Sequence, residues 1–200
     1  FNLLLRYFDS TDGEILIDGV NIKELTEESL RSNISIIRQS PFLFNLTIMD
    51  NFRLVKPDVT LEEVKKVCKM AYIDKYIESL PKRYETVIGE GGINLSGGQK
   101  QRLAIARTLI LNTKVILFDE ATSALDNESQ EYIKKTIDNL VKDHTVIIVA
   151  HRLSTIIDAD IINVINKGVL VGSGTHKKLL QSCKAYKNLY KIESNNKIIE

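Results

Sequence analysis

No charge surplus marks this sequence: 27 basic and 26 acidic side chains leave a formal net charge of +1 over 200 residues. That balance excludes a nucleic-acid-binding tail and a polybasic membrane anchor. Cysteine is nearly absent. Cys68 and Cys183 stand far apart with no CxxC spacing, which excludes a disulfide framework and a zinc site and predicts a reducing, cytosolic setting. Long apolar runs are missing too. The longest, Val146 to Ala150, has five residues, whereas a membrane span needs about twenty. The opening Phe1 to Arg6 carries neither Met nor a signal-peptide pattern and reads as the middle of a helix. There is no internal repeat and no low-complexity tract. A 44% hydrophobic and 26% charged composition excludes disorder and fibres, and the length suits one domain, in one lobe or two, with its own core.

What is present alternates short β-rich runs with longer helical stretches, the pattern of an α/β domain with a largely parallel sheet. Strands are predicted over 14–19, 35–37, 114–119 and 145–150. The last two are unbroken apolar or β-branched runs, as in strands buried on both faces. Ile161 to Ile165 and Val169 to Val171 flank Asn166-Lys167-Gly168 and predict a hairpin. Between Pro41 and Leu95 the strand pattern disappears, and Thr60-Leu61-Glu62-Glu63 opens a helix with a capping box. This segment predicts a helical insertion, with hinges at Gln39-Ser40-Pro41 and Gly89-Glu90-Gly91-Gly92. Further helices are predicted over 97–111 and 129–141, and one from Thr175 that decays into a polar tail from Glu193.

Leu95-Ser96-Gly97-Gly98-Gln99 is the most informative stretch. A Ser and two Gly at a helix mouth expose backbone N–H donors and a hydroxyl at the positive dipole end, which makes an anion cradle. Ser96 with Gln99 alone equally reads as an ordinary capping box. The whole pentapeptide is expected by chance roughly once in 10⁴ chains of this length. Val115 to Glu120 is an apolar strand ending in two carboxylates at its carboxyl edge, where open α/β sheets bind ligands.

With these motifs, LSGGQKQRLAIAR over 95–107 resembles the signature loop and helix of ABC transporter ATPase domains, and VILFDE over 115–120 resembles their Walker B strand. Ser123-Ala124-Leu125-Asp126 is similar to the family's D-loop, which runs along the interface between two such domains. His151, after TVIIVA, matches the switch histidine that touches a terminal phosphate, and Gln39 matches the Gln that joins the lobes and senses Mg²⁺ and water. The run 89–92 resembles the exporter-type loop that contacts transmembrane coupling helices. By this resemblance Asp119 helps hold Mg²⁺ and Glu120 orients the attacking water. One motif is missing: the Gly-x-x-x-x-Gly-Lys-Ser/Thr loop that holds the β- and γ-phosphates. In the family a helix of the type NLLLRYF follows that loop, so the sequence is expected to begin just after it, and the chain alone is expected to be inactive. The strand before the loop is expected to be absent as well, leaving an unpaired sheet edge and exposed apolar surface.

The resemblance implies a RecA-like P-loop NTPase core over 1–40 and 100–200, with a mostly parallel sheet, and a helical subdomain over 41–99 ending in the signature loop. It implies ATP and Mg²⁺ as cofactors and a second such domain as head-to-tail partner, alike or different. Ser96, Gly97, Gly98, Gln99 and Asp126 then face the partner's nucleotide, whereas Gln39, Asp119, Glu120 and His151 serve their own. Transmembrane domains in the same polypeptide, a location at the cytoplasmic face of the cell membrane, ATP-driven export and no nucleic-acid partner complete the expectation. An ATPase of DNA repair or chromosome organisation is the alternative, but those split the lobes with a long coiled coil or zinc insertion, and neither heptads nor CxxC appear here. A soluble translation-factor ATPase carries two such domains and a charged linker. Glu120 and the intact LSGGQ argue against a non-hydrolysing half.

Overall fold

A computed structural model describes residues 1–122, 125–150 and 152–196. The chain divides into two compact units, Phe1–Val149 and Ala150–Glu200, and each is described by itself.

The first unit opens with turns. The N–H of Tyr7 reaches the Asn2 carbonyl (2.9 Å), that of Arg6 reaches Leu3 (3.1 Å), and Arg6 itself is left-handed at φ 52°. This is the pattern by which a helix ends, so residues 1–7 read as a helix terminus rather than a helix middle. Arg6 then clamps the carbonyls of Ile22 (3.1 Å) and Leu25 (2.7 Å). Strand β1 (Leu16–Ile17) pairs with β2 (Val20–Asn21) in a minimal hairpin, because Asp18 and Gly19 turn the chain straight back. The strand expected over 14–19 is thus two residues long. Helix α1 (Glu27–Asn33), capped by Thr26, leads into β3 (Ile34–Arg38).

Helices α2 (Ile48–Arg53), α3 (Leu61–Met70) and α4 (Asp74–Ser79), then a 3₁₀ turn at Arg83–Glu85, fill the segment that lacks strand patterning. The capping box of Thr60 and Glu63 is present on α3. Residues 87–93 close on themselves through Ile93 N–H to Val87 O (2.9 Å) and Gly92 N–H to Gly89 O (3.0 Å). Helix α5 (Gly97–Leu109), β4 (Val115–Asp119), α6 (Asn127–Leu140) and β5 (Thr145–Val149) complete the unit.

The three strands pair in the order β3-β4-β5, all parallel. Period-two alternation sorts their side chains onto two faces. Ile37, Ile116, Phe118, Val146 and Ile148 join the large core with the helices, whereas Ile34 and Leu117 pack with Ile22 and Leu30 on the other side. Central strand β4 is buried on both faces as expected. β5 is not: Ile147 and Val149 are 38% and 43% exposed, and among the described residues its outer edge has no strand partner. The apolar pattern of β5 therefore reports surface that nothing in this unit covers.

In the second unit, β6 (Ile162–Asn166) and β7 (Val169–Gly174) form the expected hairpin. Lys167 and Gly168 both take positive φ, as a two-residue turn of primed type requires. The single final helix expected from Thr175 is two, α7 (His176–Ser182) and α8 (Lys184–Asn196). The chain becomes extended at Cys183, which is buried with Leu179, Tyr186, Ile162 and Val164. Burying that side chain against the hairpin overrides helical continuity.

Candidate functional site

Parallel pairing sets the carboxyl ends of the strands level. Arg38 of β3 lies opposite Asp119 of β4, and Asp119 opposite Val149 of β5. Gln39 and Glu120, each one residue further on, therefore stand with Asp119 at one edge of the sheet. Glu120 donates its N–H to the Val149 carbonyl (2.9 Å) and takes the left-handed conformation at φ 52°. A non-glycine residue held there carries strain on the order of 1 kcal/mol, and such strain concentrates at functional positions. Half-buried Asp119 and Glu120 and exposed Gln39 give a set of oxygen donors. Two carboxylates and an amide oxygen suit Mg²⁺, which keeps several waters and shares its shell with phosphates. Among the described residues no cluster of three His, Cys, Asp or Glu offers a closed metal site.

The second group lies at two helix N-termini. Ser96 caps α5 with the full capping box: its Oγ accepts from Gln99 N–H (3.2 Å), and Gln99 Oε1 accepts from Ser96 N–H (2.9 Å). The capping-box and anion-cradle readings are thus compatible. The Gly97 and Gly98 amides stand at the first two helical positions, which lack intrahelical partners, at the positive end of a 13-residue helix; Gly97 is exposed and Gly98 buried. Asp126 caps α6, accepting from the Ser129 N–H (2.8 Å) and hydroxyl (2.9 Å), and these bonds hold its carboxyl below the usual range. His151, Ser123 and Ala124 lie outside the described residues.

Gln101 joins the two groups. Buried at 1% exposure, about one turn inside α5, it donates Nε2 to the Arg38 carbonyl (3.0 Å), immediately before Gln39. Sequence reasoning passed over it, although a polar residue in line with Ala104 and Ile105 on the buried stripe of a helix was a usable sign. Asn51 was missed in the same way. Fully buried in α2, it accepts from Phe44 N–H (2.9 Å) and donates to the carbonyls of Phe44 (3.1 Å) and Thr47 (3.0 Å), while Arg107 holds the Phe42 carbonyl (2.7 Å). These bonds shape a cavity of about 210 Å³ lined by Phe42, Phe44, Ile88, Leu95 and Lys100. At its mouth the rings of Phe42 and Phe44 meet edge to face at 4.8 Å, and Phe42 is 68% exposed.

A parallel sheet with helical crossovers and carboxylates at its carboxyl edge defines an open α/β core that binds its ligand at that edge, and the solved structure it superposes on makes that core RecA-like. The family model described as ABC transporter matches residues 1–123. A Staphylococcus aureus (strain NCTC 8325) protein named as a multidrug export ATP-binding/permease protein is 49% identical over 193 residues, 96% of this chain and 33% of that protein. Its counterpart in strain Mu50 matches equally. A solved structure, of a bacterial Atm1-family ABC exporter with ATP bound, superposes with a TM-score of 0.89 at 42% identity, covering 96% of this chain and 34% of that one. The chain belongs to the ABC transporter family. It spans about a third of the length of the curated relatives it matches.

Proposed function

We propose that this chain is the nucleotide-binding part of an ABC exporter, hydrolysing ATP to drive export. The observation that carries the reading is the bond from Gln101 to the Arg38 carbonyl, which ties the helix of the Ser96–Gln99 cradle to the sheet edge bearing Gln39, Asp119 and Glu120. Mg²⁺, when bound, supplies charge neutralisation at the phosphates. Asp119 and Gln39 are the residues that would hold it, and Glu120 would orient the attacking water and accept its proton. His151 is proposed to touch the terminal phosphate. Gly97 and Gly98 amides and the Ser96 hydroxyl would stabilise charge on the transferred group, as preorganised donors do, with Asp126 beside them.

In this reading the cradle serves the nucleotide of a second such domain packed head to tail. The core comprises 1–40 and 100–200, and 41–99 forms a helical subdomain. The Phe42–Phe44 face and the turn over 89–92 meet transmembrane segments of the same polypeptide, at the cytoplasmic side of the membrane. Exposed aromatic rings beside an apolar cavity favour such a partner.

The test uses purified full-length protein. Glu120→Gln is expected to keep ATP binding and lower turnover by about 10²-fold or more; an unchanged rate removes the assignment. Mixing Glu120→Gln with Ser96→Arg subunits places both lesions on one composite site in the mixed dimer, so activity should exceed that of either parent. Mixtures no more active than the parents count against the head-to-tail arrangement.

A further inference from the structure

Gly98 packs against α6 more closely than any side chain allows. A Cβ built there would lie 1.9 Å from the Ser129 Oγ and 2.7 Å from its Cβ. Ser129 is buried and held by three hydrogen bonds to two partners. Its N–H and hydroxyl both donate to the Asp126 carboxylate, and its Oγ accepts from the Arg102 guanidinium (3.3 Å). Arg102 lies in turn over the Tyr132 ring (4.9 Å), which stacks on Tyr72 (5.5 Å) in the turn between α3 and α4. The hydroxyl thus sits where the first turn of α5 and the first turn of α6 meet, on a base anchored in the helical segment.

Resting on the function proposed above, we propose that Ser129 is a positioning residue: it is the stop against which Gly98 seats, and Asp126 and Arg102 hold that stop in place. The distance between the cradle amides and the Asp126 segment is then fixed, and the two present one rigid surface to the neighbouring nucleotide. Ser129 touches no reacting atom. It acts through Gly98, whose amide belongs to the cradle. The geometry also explains why the second cradle glycine admits no side chain: its neighbour's Cβ, and not only its hydroxyl, already occupies the space.

The test is a set of variants in the full-length protein, read by kcat, by the ATP concentration at half-maximal rate and by the thermal midpoint of unfolding. Ser129→Ala keeps the Asp126 cap through the main-chain N–H and keeps the Cβ, but deletes the hydroxyl with its bonds to Asp126 and Arg102, so the thermal midpoint falls by a few degrees and, because the stop is loosened, kcat falls about tenfold. Gly98→Ala forces the helices apart, and a shift of about 1 Å in a catalytic group costs on the order of 10²-fold. Ser129→Gly removes the two atoms that a methyl group at position 98 would clash with and leaves the Asp126 carboxylate oxygen at an ordinary contact of 3.6 Å, so Gly98→Ala/Ser129→Gly should recover to the level of Ser129→Gly alone. A merely structural Ser129 would lower the midpoint and leave kcat where it was. Wild-type kcat in Ser129→Ala overturns the proposal even if Gly98→Ala fails to fold, and so does a double variant no more active than Gly98→Ala. Absence of ATP hydrolysis by the unaltered protein would instead remove the functional reading, and this inference with it.

Discussion

Replacing Asn51 by Ala tests whether one buried amide shapes the loop that frames the Phe42–Phe44 face. The substitution deletes four hydrogen bonds, but they are not equal, and the one from Arg107 Nη1 is the longest at 3.5 Å. The Thr47 carbonyl keeps the Asn51 main-chain N–H at 3.1 Å, so losing the side-chain donor there costs little. The Phe44 carbonyl likewise keeps the Leu46 N–H at 2.8 Å, whereas the Phe44 N–H depends on the carboxamide at 2.9 Å, a bond worth about 1 kcal/mol net. Local opening of residues 42–47 should therefore become easier by about 1 kcal/mol. At roughly 1.4 kcal/mol per decade this is about fivefold. Hydrogen exchange on the full-length protein, read by mass spectrometry of fragments, is the assay. Amides of 42–47 should exchange about fivefold faster while those of α3 are unchanged. An acceleration below about twofold at 42–47, or an equal one in α3, would refute the reasoning: the first shows that the loop holds itself, the second that Asn51 supports the whole unit.

The carboxyl of Glu63 is pulled down to about 2 by Lys56 (2.5 Å) and by the Thr60 N–H and hydroxyl. Its folded value thus lies below its ordinary 4.5, so its contribution is fully present above pH 4.5 and lost as pH falls through about 2. In acid titration of helix content, the gap between wild type and Glu63→Gln should be open at pH 7 and close between those values; a gap unchanged at pH 2 contradicts the linkage. The 200-residue chain alone should show no micromolar affinity for Mg·ATP in calorimetric titration. Asp119 and Glu120 repel a polyphosphate, and the sequence holds no Gly-x-x-x-x-Gly-Lys loop to offset them. A micromolar dissociation constant would mean that the phosphate-binding groups lie within this chain.

Strands β3, β4 and β5 and helices α5 and α6 were legible because their apolar runs and caps are local. Thr60 with Glu63 and Ser96 with Gln99 announce helix starts within four residues. Asp119 and Glu120 were legible for the same reason, since a strand that ends in carboxylates places them at a sheet edge without knowledge of neighbours. What escaped depends on distant partners. Nothing near Gln101 in sequence says that its amide meets the Arg38 carbonyl, or near Gly98 that Ser129 stands against it. An unpaired sheet edge and exposed apolar surface were expected from the missing phosphate loop, but their place on β5 escaped, because an apolar run records what a strand is built to pack on and not whether that cover lies in the same unit. The break at Cys183 escaped because local helix propensity is weaker than the burial that overrides it.

The grip of Gln101 on the end of β3 falls on a carbonyl oxygen, and that choice makes the two ends of the bond unequal in what they permit. Every amino acid brings the same oxygen to position 38, so the residue there can drift without loosening the joint, and an arginine serves where a smaller side chain would serve as well. Position 101 has no such liberty. Its side chain must reach out from a closed interior with a donor at its tip; a shorter amide falls short of the strand, a carboxylate faces the oxygen with like charge, and a methionine fills the space in silence. Mutational freedom and mechanical importance are therefore separated across a single 3.0 Å contact, with the variable partner standing next to Gln39 and the constrained one hidden a helical turn away.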